Sequence, residues 1–201
     1  GKGGIGTPHG IESHLRMPLG DWIRLIKDVE IGSDMQVMRA ARMVKTPLEV
    51  EAIREACQIA GRAFARVPEK ARAGTPLSSV FRSFQMLCLE EGADWVPYLS
   101  GGKGSDGYDD VISPASDDPL QAGEIVMLDT GVIRNGYFSD FDRNYSVGAP
   151  SDAAARAYDK LMEATRTGEA LLKPGSTAAD IFHAMDTVCT GGAGGQSAGR
   201  L

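Results

Sequence analysis

Residues 129–143 read DTGVIRNGYFSDFDR, and this stretch decides the fold. The dipeptide Asn135-Gly136 is typical of a two-residue hairpin turn, because both central residues of such a turn need positive φ angles. A turn centred there places Asp129 directly opposite Asp142. Opposed residues, and alternate residues along one strand, point to the same face of a sheet. The pattern therefore predicts that Asp129, Asp140 and Asp142 all project from one side of a hairpin.

This clustering of acids needs a physical explanation, because like charges opposed across a sheet destabilise it. The apolar run Ile125–Leu128 leads into Asp129 and indicates that the first strand is buried. A shared proton, an ion pair with Arg134 or Arg143, or a divalent cation between the carboxylates would each offset the repulsion. The residues alone favour none of these strongly, and a solvated hairpin rim with scattered acids is the remaining alternative.

Helical patterns flank the hairpin on both sides. Thr46-Pro47-Leu48-Glu49 predicts a helix start, with an N-cap Thr, Pro at the first position and Glu three residues after the cap. Apolar side chains from Val50 to Val67 recur at spacings of three and four, which predicts a helix of about twenty residues. The other predicted elements are helices from Pro76 to Gly92, after Ser151 and after Thr177, strands at 95–99, 124–130 and 137–147, and a loop over 100–118.

The order of these elements predicts an α+β fold in which helices pack on an antiparallel sheet. Residues 1–33, with a short helix followed by an extended piece, are expected to be the end of a preceding N-terminal domain or a linker. The Gly-rich residues at both ends of the sequence suggest that it is cut from a longer protein.

Composition excludes several classes of function. The chain has 201 residues, 42% of them hydrophobic, and a formal net charge of −6. We therefore expect no nucleic-acid partner, since no basic stripe is present. We also expect no membrane partner, because no apolar run reaches the length of a transmembrane helix. The three cysteines, Cys57, Cys88 and Cys189, are far apart in the sequence. Cys57 and Cys88 lie at core-like helical positions, which predicts buried free thiols in a reducing cytoplasm.

The hairpin sequence resembles the metal-binding hairpin of the pita-bread metallopeptidases, a family that includes methionine aminopeptidase, aminopeptidase P, prolidase and the non-peptidase creatinase. The matching motif is Asp129-x-Gly131, then Gly136-Tyr137, then Asp140 eleven residues after Asp129, then Arg143. The segments LQAGEIVMLD, KTPLEVEAIREA and LLKPGSTAADI also match. The resemblance covers residues 34 to about 190. It implies that 34–201 form the N-terminal half of a catalytic domain with a curved antiparallel sheet, whose C-terminal half is absent.

The resemblance also implies a function. Asp129 and Asp140 would be metal ligands, with Asp140 bridging two divalent ions of Mn, Fe, Co or Zn and Asp129 chelating one. Such a pair of ions activates a water for attack on a peptide bond. The implied activity is that of a Xaa-Pro-type aminopeptidase or dipeptidase acting on small peptides. A cytoplasmic homodimer is the implied assembly.

This sequence departs from the family in its ligand set and in one loop. The family's remaining ligands, one His and two Glu, lie in the second half of the fold, so this fragment alone is expected to be inactive. Family peptidases carry a His about seventeen residues before the first Asp ligand, but Tyr108–Pro114 contains none. The histidines of this chain, His9, His14 and His183, lie elsewhere, and His183 is expected to be structural.

A third departure is Asp142, which stands where the family usually has Thr. An extra acid would add a ligand or bind a cationic substrate group. The sequence DFDRN and the loop without His resemble the branch that contains dimethylsulfoniopropionate lyases. A sulfonium cation would suit an acidic pocket lined by Trp95, Tyr98 and Tyr108, which with Asp142 are the predicted substrate contacts. The alternatives to a peptidase are therefore such a lyase, a creatinase-like enzyme, or an inactive truncated module.

Overall fold

The computed structural model describes residues 4–9, 16–105, 107–108 and 115–192. The chain divides into two compact units, Gly1–Glu51 and Ala52–Leu201. The first unit contains strands β1 (Ile5–Thr7) and β2 (Ile31–Ser33), which pair in parallel. Helix α1 (Leu19–Asp28) lies between them in sequence. These bounds confirm the predicted short helix followed by an extended piece, and α2 (Val37–Met43) follows.

Helix α3 (Pro47–Ala65) begins where the capping pattern predicted. The Glu49 carboxylate accepts a hydrogen bond from the Thr46 N–H at 2.7 Å, and the Thr46 hydroxyl accepts one from the Glu49 N–H at 3.3 Å. The apolar stripe predicted from Val50 to Val67 is buried only in part, because Val50 is 43% exposed and the buried residues of the helix begin at Ala56. Spacing identifies the apolar face of a helix, but it does not show how far neighbouring elements cover that face.

Three further helices follow the predicted starts. They are α4 (Leu77–Glu90), α5 (Asp152–Ala170) and α6 (Ala178–Thr190). The Ser151 hydroxyl caps α5 by accepting the Ala154 N–H at 3.1 Å, and Thr177 with Asp180 forms a capping box at the start of α6. Within the part of the chain that the structure describes, no helix has the length and apolarity that a membrane span needs.

The second unit contains an antiparallel sheet centred on one long strand. Strand β4 (Ile125–Arg134) pairs with β3 (Trp95–Gly104) on one side and with β5 (Tyr137–Phe138) and β6 (Phe141–Ser146) on the other. The φ angles of Asn135 and Gly136 are 52° and 80°, which confirms the predicted hairpin turn. The predicted α+β class, with helices and an antiparallel sheet, is confirmed.

Two predicted element boundaries are wrong. Strand β3 continues to Gly104, so the predicted loop begins later than residue 100, and residues 106 and 109–114 lie outside the described residues. The strand predicted at 137–147 is divided after Phe138. The division has a local cause, because the Ser139 hydroxyl accepts the Val132 N–H at 3.2 Å, where a regular ladder would use a backbone carbonyl.

The hydrophobic core lies between one face of this sheet and helices α3 and α4. Val126, Leu128, Thr130 and Val132 alternate along β4, and each is fully buried. The ring of Phe64 on α3 lies 4.6 Å from that of Phe84 on α4 and 5.1 Å from that of Phe141 on β6. The intervening residues of β4, including Asp129, therefore point to the opposite face of the sheet.

The cysteines are free thiols, as predicted. Cys88 is buried as predicted and Cys189 is also buried, but the predicted burial of Cys57 is wrong, because this residue is partly exposed. Burial raises the pKa of the Cys88 thiol to about 12. That thiol therefore stays protonated at neutral pH and is a packing residue, because the thiolate is the nucleophilic form.

Candidate functional site

The predicted acidic cluster forms on the face of the sheet opposite to helices α3 and α4. Asp129 lies directly opposite Asp142 on β6, as the hairpin register predicted, and opposite Ser100 on β3. Tyr98 on β3 faces the same side, and its hydroxyl donates a hydrogen bond to Asp140 Oδ1. The tertiary structure thus brings together three of the predicted acids and one of the predicted aromatic residues.

The carboxylates of this cluster repel one another. The pKa of Asp129 is raised, chiefly by burial and then by the negative charges of Asp140 and Asp142, while the hydrogen bond from Tyr98 acts in the opposite direction. Burial also raises the pKa of Asp142; the positive charge of Arg143 opposes this shift, and Asp140 adds to it. A bound cation would relieve this repulsion, since opposite charge favours the ionised form of a carboxyl group.

Arg134 does not form the ion pair with the acidic cluster that was one of the alternatives open from the sequence. Its guanidinium donates to Glu55 on α3 at 3.0 Å and to Asp94 at 2.8 Å. The Asp94 carboxylate also accepts the Asn135 N–H at 2.6 Å. Arg134 and Asp94 therefore fasten the hairpin turn to the helical layer, which is a structural role.

Arg143 has a different environment. Its guanidinium donates to the backbone carbonyl of Asp142 at 2.6 Å and lies 4.6 Å from the centre of the Phe141 ring. Among the described residues, no ion pair joins an arginine or lysine to Asp129, Asp140 or Asp142. Of the three neutralising arrangements that the sequence allowed, the arginine ion pair is therefore absent from the described part of the chain.

Asp129 and Asp140 suit a divalent cation chemically, because carboxylate oxygens are preferred ligands of hard and borderline divalent ions. The Tyr98 hydroxyl donates to Asp140, and both carboxylates raise the pKa of that phenol, so they point toward a common space. Across residues 4–9, 16–105, 107–108 and 115–192, no group of three or more His, Cys, Asp or Glu could hold a metal ion. The two carboxylates therefore fit a metal only as part of a larger ligand set, and Asp142 does not complete it.

The predicted aromatic contacts differ in their distance from the acids. The Tyr108 hydroxyl donates to Asn144 Oδ1 at 2.8 Å, and its pKa is raised by burial and by the charge of Asp142. Trp95 lies opposite Ile133, which is four residues along β4 from Asp129, or about 13 Å at the usual strand rise. Tyr98 and Tyr108 thus adjoin the cluster, whereas Trp95 lies near the hairpin turn.

The three histidines lie in different parts of the chain. His183 lies on α6, with its ring 5.6 Å from that of Phe182. His9 lies in the first unit, directly after β1. His14 and the predicted loop residues 109–114 lie outside the described residues.

Sequence reasoning missed one residue that supports the site. The Thr130 side chain is fully buried and its hydroxyl donates to the backbone carbonyl of Tyr98. Thr130 interrupts the otherwise apolar inward-facing side of β4. A lone hydroxyl on the apolar face of a strand could have predicted this hydrogen bond, because a buried polar group requires a partner.

A cavity of about 640 Å³ lies beside the cluster, between β6 and α5. Its walls include Tyr108 and Asn144 on one side and Ala154 and Tyr158 on the other. None of the three clustered aspartates lines it. The cavity is therefore adjacent to the candidate metal ligands and separate from them.

Comparison with known proteins identifies the family. A family model described as metallopeptidase family M24 matches residues 51–198. The chain is 35% identical over 146 residues to the probable dipeptidase PepE of Mycobacterium tuberculosis, covering 72% of this chain and 39% of that protein. It is 30% identical over 155 residues to the Xaa-Pro dipeptidase of Pyrococcus furiosus, covering 72% of this chain and 42% of that protein. The crystal structure of dipeptidase PepE from Mycobacterium ulcerans gives a TM-score of 0.73 at 34% identity, covering 86% of this chain and 47% of that one.

The chain belongs to metallopeptidase family M24, whose members use divalent metal ions. Its fold is about half of the pita-bread fold that these relatives share. The chain spans about two fifths of the length of the two curated relatives named above.

Proposed function

We propose that the complete protein is a metal-dependent peptidase of the Xaa-Pro type, either an aminopeptidase or a dipeptidase. Residues 34–201 form the N-terminal half of its catalytic domain and follow the end of an N-terminal domain or linker. The observation that carries the proposal is the placement of Asp129 and Asp140. They share one face of a hairpin in a metallopeptidase-family chain and have no ion-pair partner among the described residues.

In this proposal Asp129 and Asp140 would hold the metal, and Asp140 would be the ligand shared by two ions. Two bound ions, drawn from Mn, Fe, Co or Zn, would supply an activated water and polarise the scissile carbonyl. Asp129 lies on β4 and Asp140 directly precedes β6, and these two strands pair and so give the carboxylates a rigid support. Tyr108, Asp142 and more distantly Trp95 are the proposed substrate contacts.

Two relatives support peptide substrates. One is described as a probable dipeptidase and the other as a Xaa-Pro dipeptidase, and both match the segment that contains the hairpin. We also propose a cytoplasmic location and a homodimer. These two parts of the proposal are supported by the resemblance to the family.

The test uses the complete protein, stripped with a chelator and reloaded with Mn²⁺. We expect bound metal and hydrolysis of a Xaa-Pro dipeptide, and we expect both to be lost in Asp140→Asn, which keeps the shape of the side chain and removes its charge. The matched control is Asp159→Asn on α5, which changes the net charge equally and lies outside the cluster. An Asp140→Asn protein with unchanged metal content and rate would show that the ligand assignment is wrong.

A second candidate function is elimination from a small cationic substrate, as in the dimethylsulfoniopropionate lyases, or a creatinase-like reaction. The observation that favours it is the position of Asp142 beside Tyr108, since an acid next to an aromatic ring suits a cation. Incubation with dimethylsulfoniopropionate, compared with a Xaa-Pro dipeptide, separates the two candidates. A complete protein that binds no metal and turns over neither compound would support the third alternative, an inactive module.

A further inference from the structure

Tyr98, Gly131 and Asp140 lie in one row across the sheet. Tyr98 on β3 is opposite Gly131 on β4. The β4–β5 and β4–β6 pairs share one register, and this register, continued through the break between β5 and β6, brings Asp140 level with Gly131. The phenol of Tyr98 extends along this row, and its hydroxyl donates to Asp140 Oδ1. A strand that contributes no acid to the cluster therefore supplies a hydrogen-bond donor to a carboxylate two strands away.

Gly131 keeps this row open. A Cβ atom at position 131 would lie 3.4 Å from Cε1 of Tyr98 and 2.0 Å from the carbonyl oxygen of Ser139. The second distance is shorter than any real Cβ contact, and the atom it meets belongs to the backbone. Lack of space, and not backbone torsion, is what requires glycine here. The absence of a side chain at Gly131 thus leaves room both for the Ser139 backbone and for the Tyr98 ring.

Tyr98 is also held from the other face of the sheet. The buried hydroxyl of Thr130 donates to the Tyr98 carbonyl, next to the irregular pairing between Trp95 and Tyr98. That bond fixes the backbone from which the phenol projects. The ring is therefore positioned at both ends, by Thr130 at the backbone and by Asp140 at the hydroxyl.

We propose that Tyr98 is a positioning residue of the metal site, whose hydroxyl fixes the orientation of the Asp140 carboxylate. The proposal rests on the proposed function, since it requires Asp140 to be a ligand, and it replaces the predicted role of Tyr98 as a substrate contact. A carboxylate oxygen has two lone pairs, so Oδ1 accepts the phenol proton and still faces a cation. Partners that orient metal ligands contribute roughly 10- to 100-fold in metal affinity or activity.

The test is Tyr98→Phe in the complete protein, which keeps the ring over Gly131 and removes the donor. We expect the Kd for Mn²⁺, measured from the electron paramagnetic resonance signal of free Mn²⁺, to rise roughly 10- to 100-fold. At saturating Mn²⁺ we expect kcat to recover and KM for the peptide to stay at its wild-type value. The matched control is Tyr145→Phe, which removes a phenol that donates to the Phe64 carbonyl at 2.8 Å on the opposite face. We expect its Kd for Mn²⁺ to be unchanged.

The outcomes separate this proposal from the proposed function. A wild-type protein that binds Mn²⁺ and a Tyr98→Phe protein that binds it equally well would overturn the positioning role alone. A raised KM with an unchanged Kd would also overturn it and return Tyr98 to substrate binding. A wild-type protein that binds no divalent metal would overturn both proposals. Should Tyr98→Phe fail to fold by circular dichroism, Tyr98→Leu also removes the hydroxyl and is expected to raise the Kd for Mn²⁺ similarly.

Discussion

Asp129 and Asp142 face each other directly across β4 and β6, where sheets usually place attractive or neutral pairs. Because the two negative charges repel, we expect Asp142→Asn to stabilise the metal-free protein by about 0.5 kcal/mol. The measurement is urea unfolding in the presence of a chelator. With Mn²⁺ bound, the gain should shrink, since the cation already offsets the repulsion.

Asp159→Asn is the control for this prediction, because it removes one negative charge from an exposed position on α5. We expect it to leave the free energy of unfolding nearly unchanged with and without the chelator. An equal gain in both variants would assign the effect to net charge and would contradict a specific repulsion between Asp129 and Asp142.

Gly131→Ala should be strongly destabilising. The added Cβ would meet the Ser139 carbonyl oxygen at 2.0 Å, so the pairing of β4 with the returning strand has to shift. We expect a loss of about 3 kcal/mol in the free energy of unfolding, which is the upper end for an overpacked site. Thermal or urea unfolding of the complete protein measures it.

Gly61→Ala provides the matched comparison. Gly61 lies within α3, and a Cβ there meets no atom within 4 Å. Alanine is the better helix former, so we expect this variant to gain about 0.5–1 kcal/mol. Equal destabilisation by the two alanines would refute the steric role assigned to Gly131.

Thr130→Val tests the support beneath Tyr98. Valine keeps the shape of threonine but removes the hydroxyl that donates to the Tyr98 carbonyl. We expect a loss of about 1 kcal/mol in stability, because the hydrogen bond to that carbonyl is lost, together with weaker Mn²⁺ binding. Thr130→Ser keeps the donor and should retain the Mn²⁺ affinity. If both variants bind Mn²⁺ equally, Thr130 has no part in positioning Tyr98.

The contacts of Asp94 with Arg134 and with the Asn135 N–H predict that the stability of the protein depends on pH. The pKa of Asp94 is lowered, first by the hydrogen bond from the Asn135 N–H and then by Arg134. A carboxyl group whose pKa is depressed on folding stabilises the protein above its unfolded pKa, and this stabilisation is lost as pH falls through the folded value. Asp94→Asn should therefore destabilise the protein at pH 7. The difference from wild type should shrink below the ordinary Asp pKa of about 4.

Urea unfolding of both proteins between neutral and acidic pH measures this difference. A difference that stays constant over the whole pH range would show that the charge of Asp94 is not what stabilises the turn.

Local signals in the sequence predicted much of the fold. The Asn135-Gly136 turn set the hairpin register because two consecutive positive φ angles fit one turn type, and the register placed Asp129 opposite Asp142. The caps at Thr46, Ser151 and Thr177 set the helix starts, because each cap bond joins residues only three apart. Such bonds join residues that are close in the sequence, so they can be predicted without knowledge of the tertiary structure.

Contacts between distant segments could not be read in this way. The pairing of β3 with β4 shifts by one residue between Trp95 and Tyr98. Alternation of side chains along the sequence therefore cannot predict on which face of the sheet Tyr98 lies. The strand break at Ser139 depends on its hydroxyl meeting the Val132 N–H, a side-chain choice that no periodicity encodes. Both features decide how the acidic cluster is supported.

That acidic side chains share one face of a β-hairpin follows from the sequence alone, since turn chemistry and strand alternation are local. The surroundings of these side chains follow from the tertiary fold. It brought the Tyr98 hydroxyl across Gly131 to Asp140, and it turned Arg134 toward Asp94 and Glu55. The physical reason is that these contacts join separate segments of the chain, whose relative placement follows from packing of the core and not from the spacing of residues.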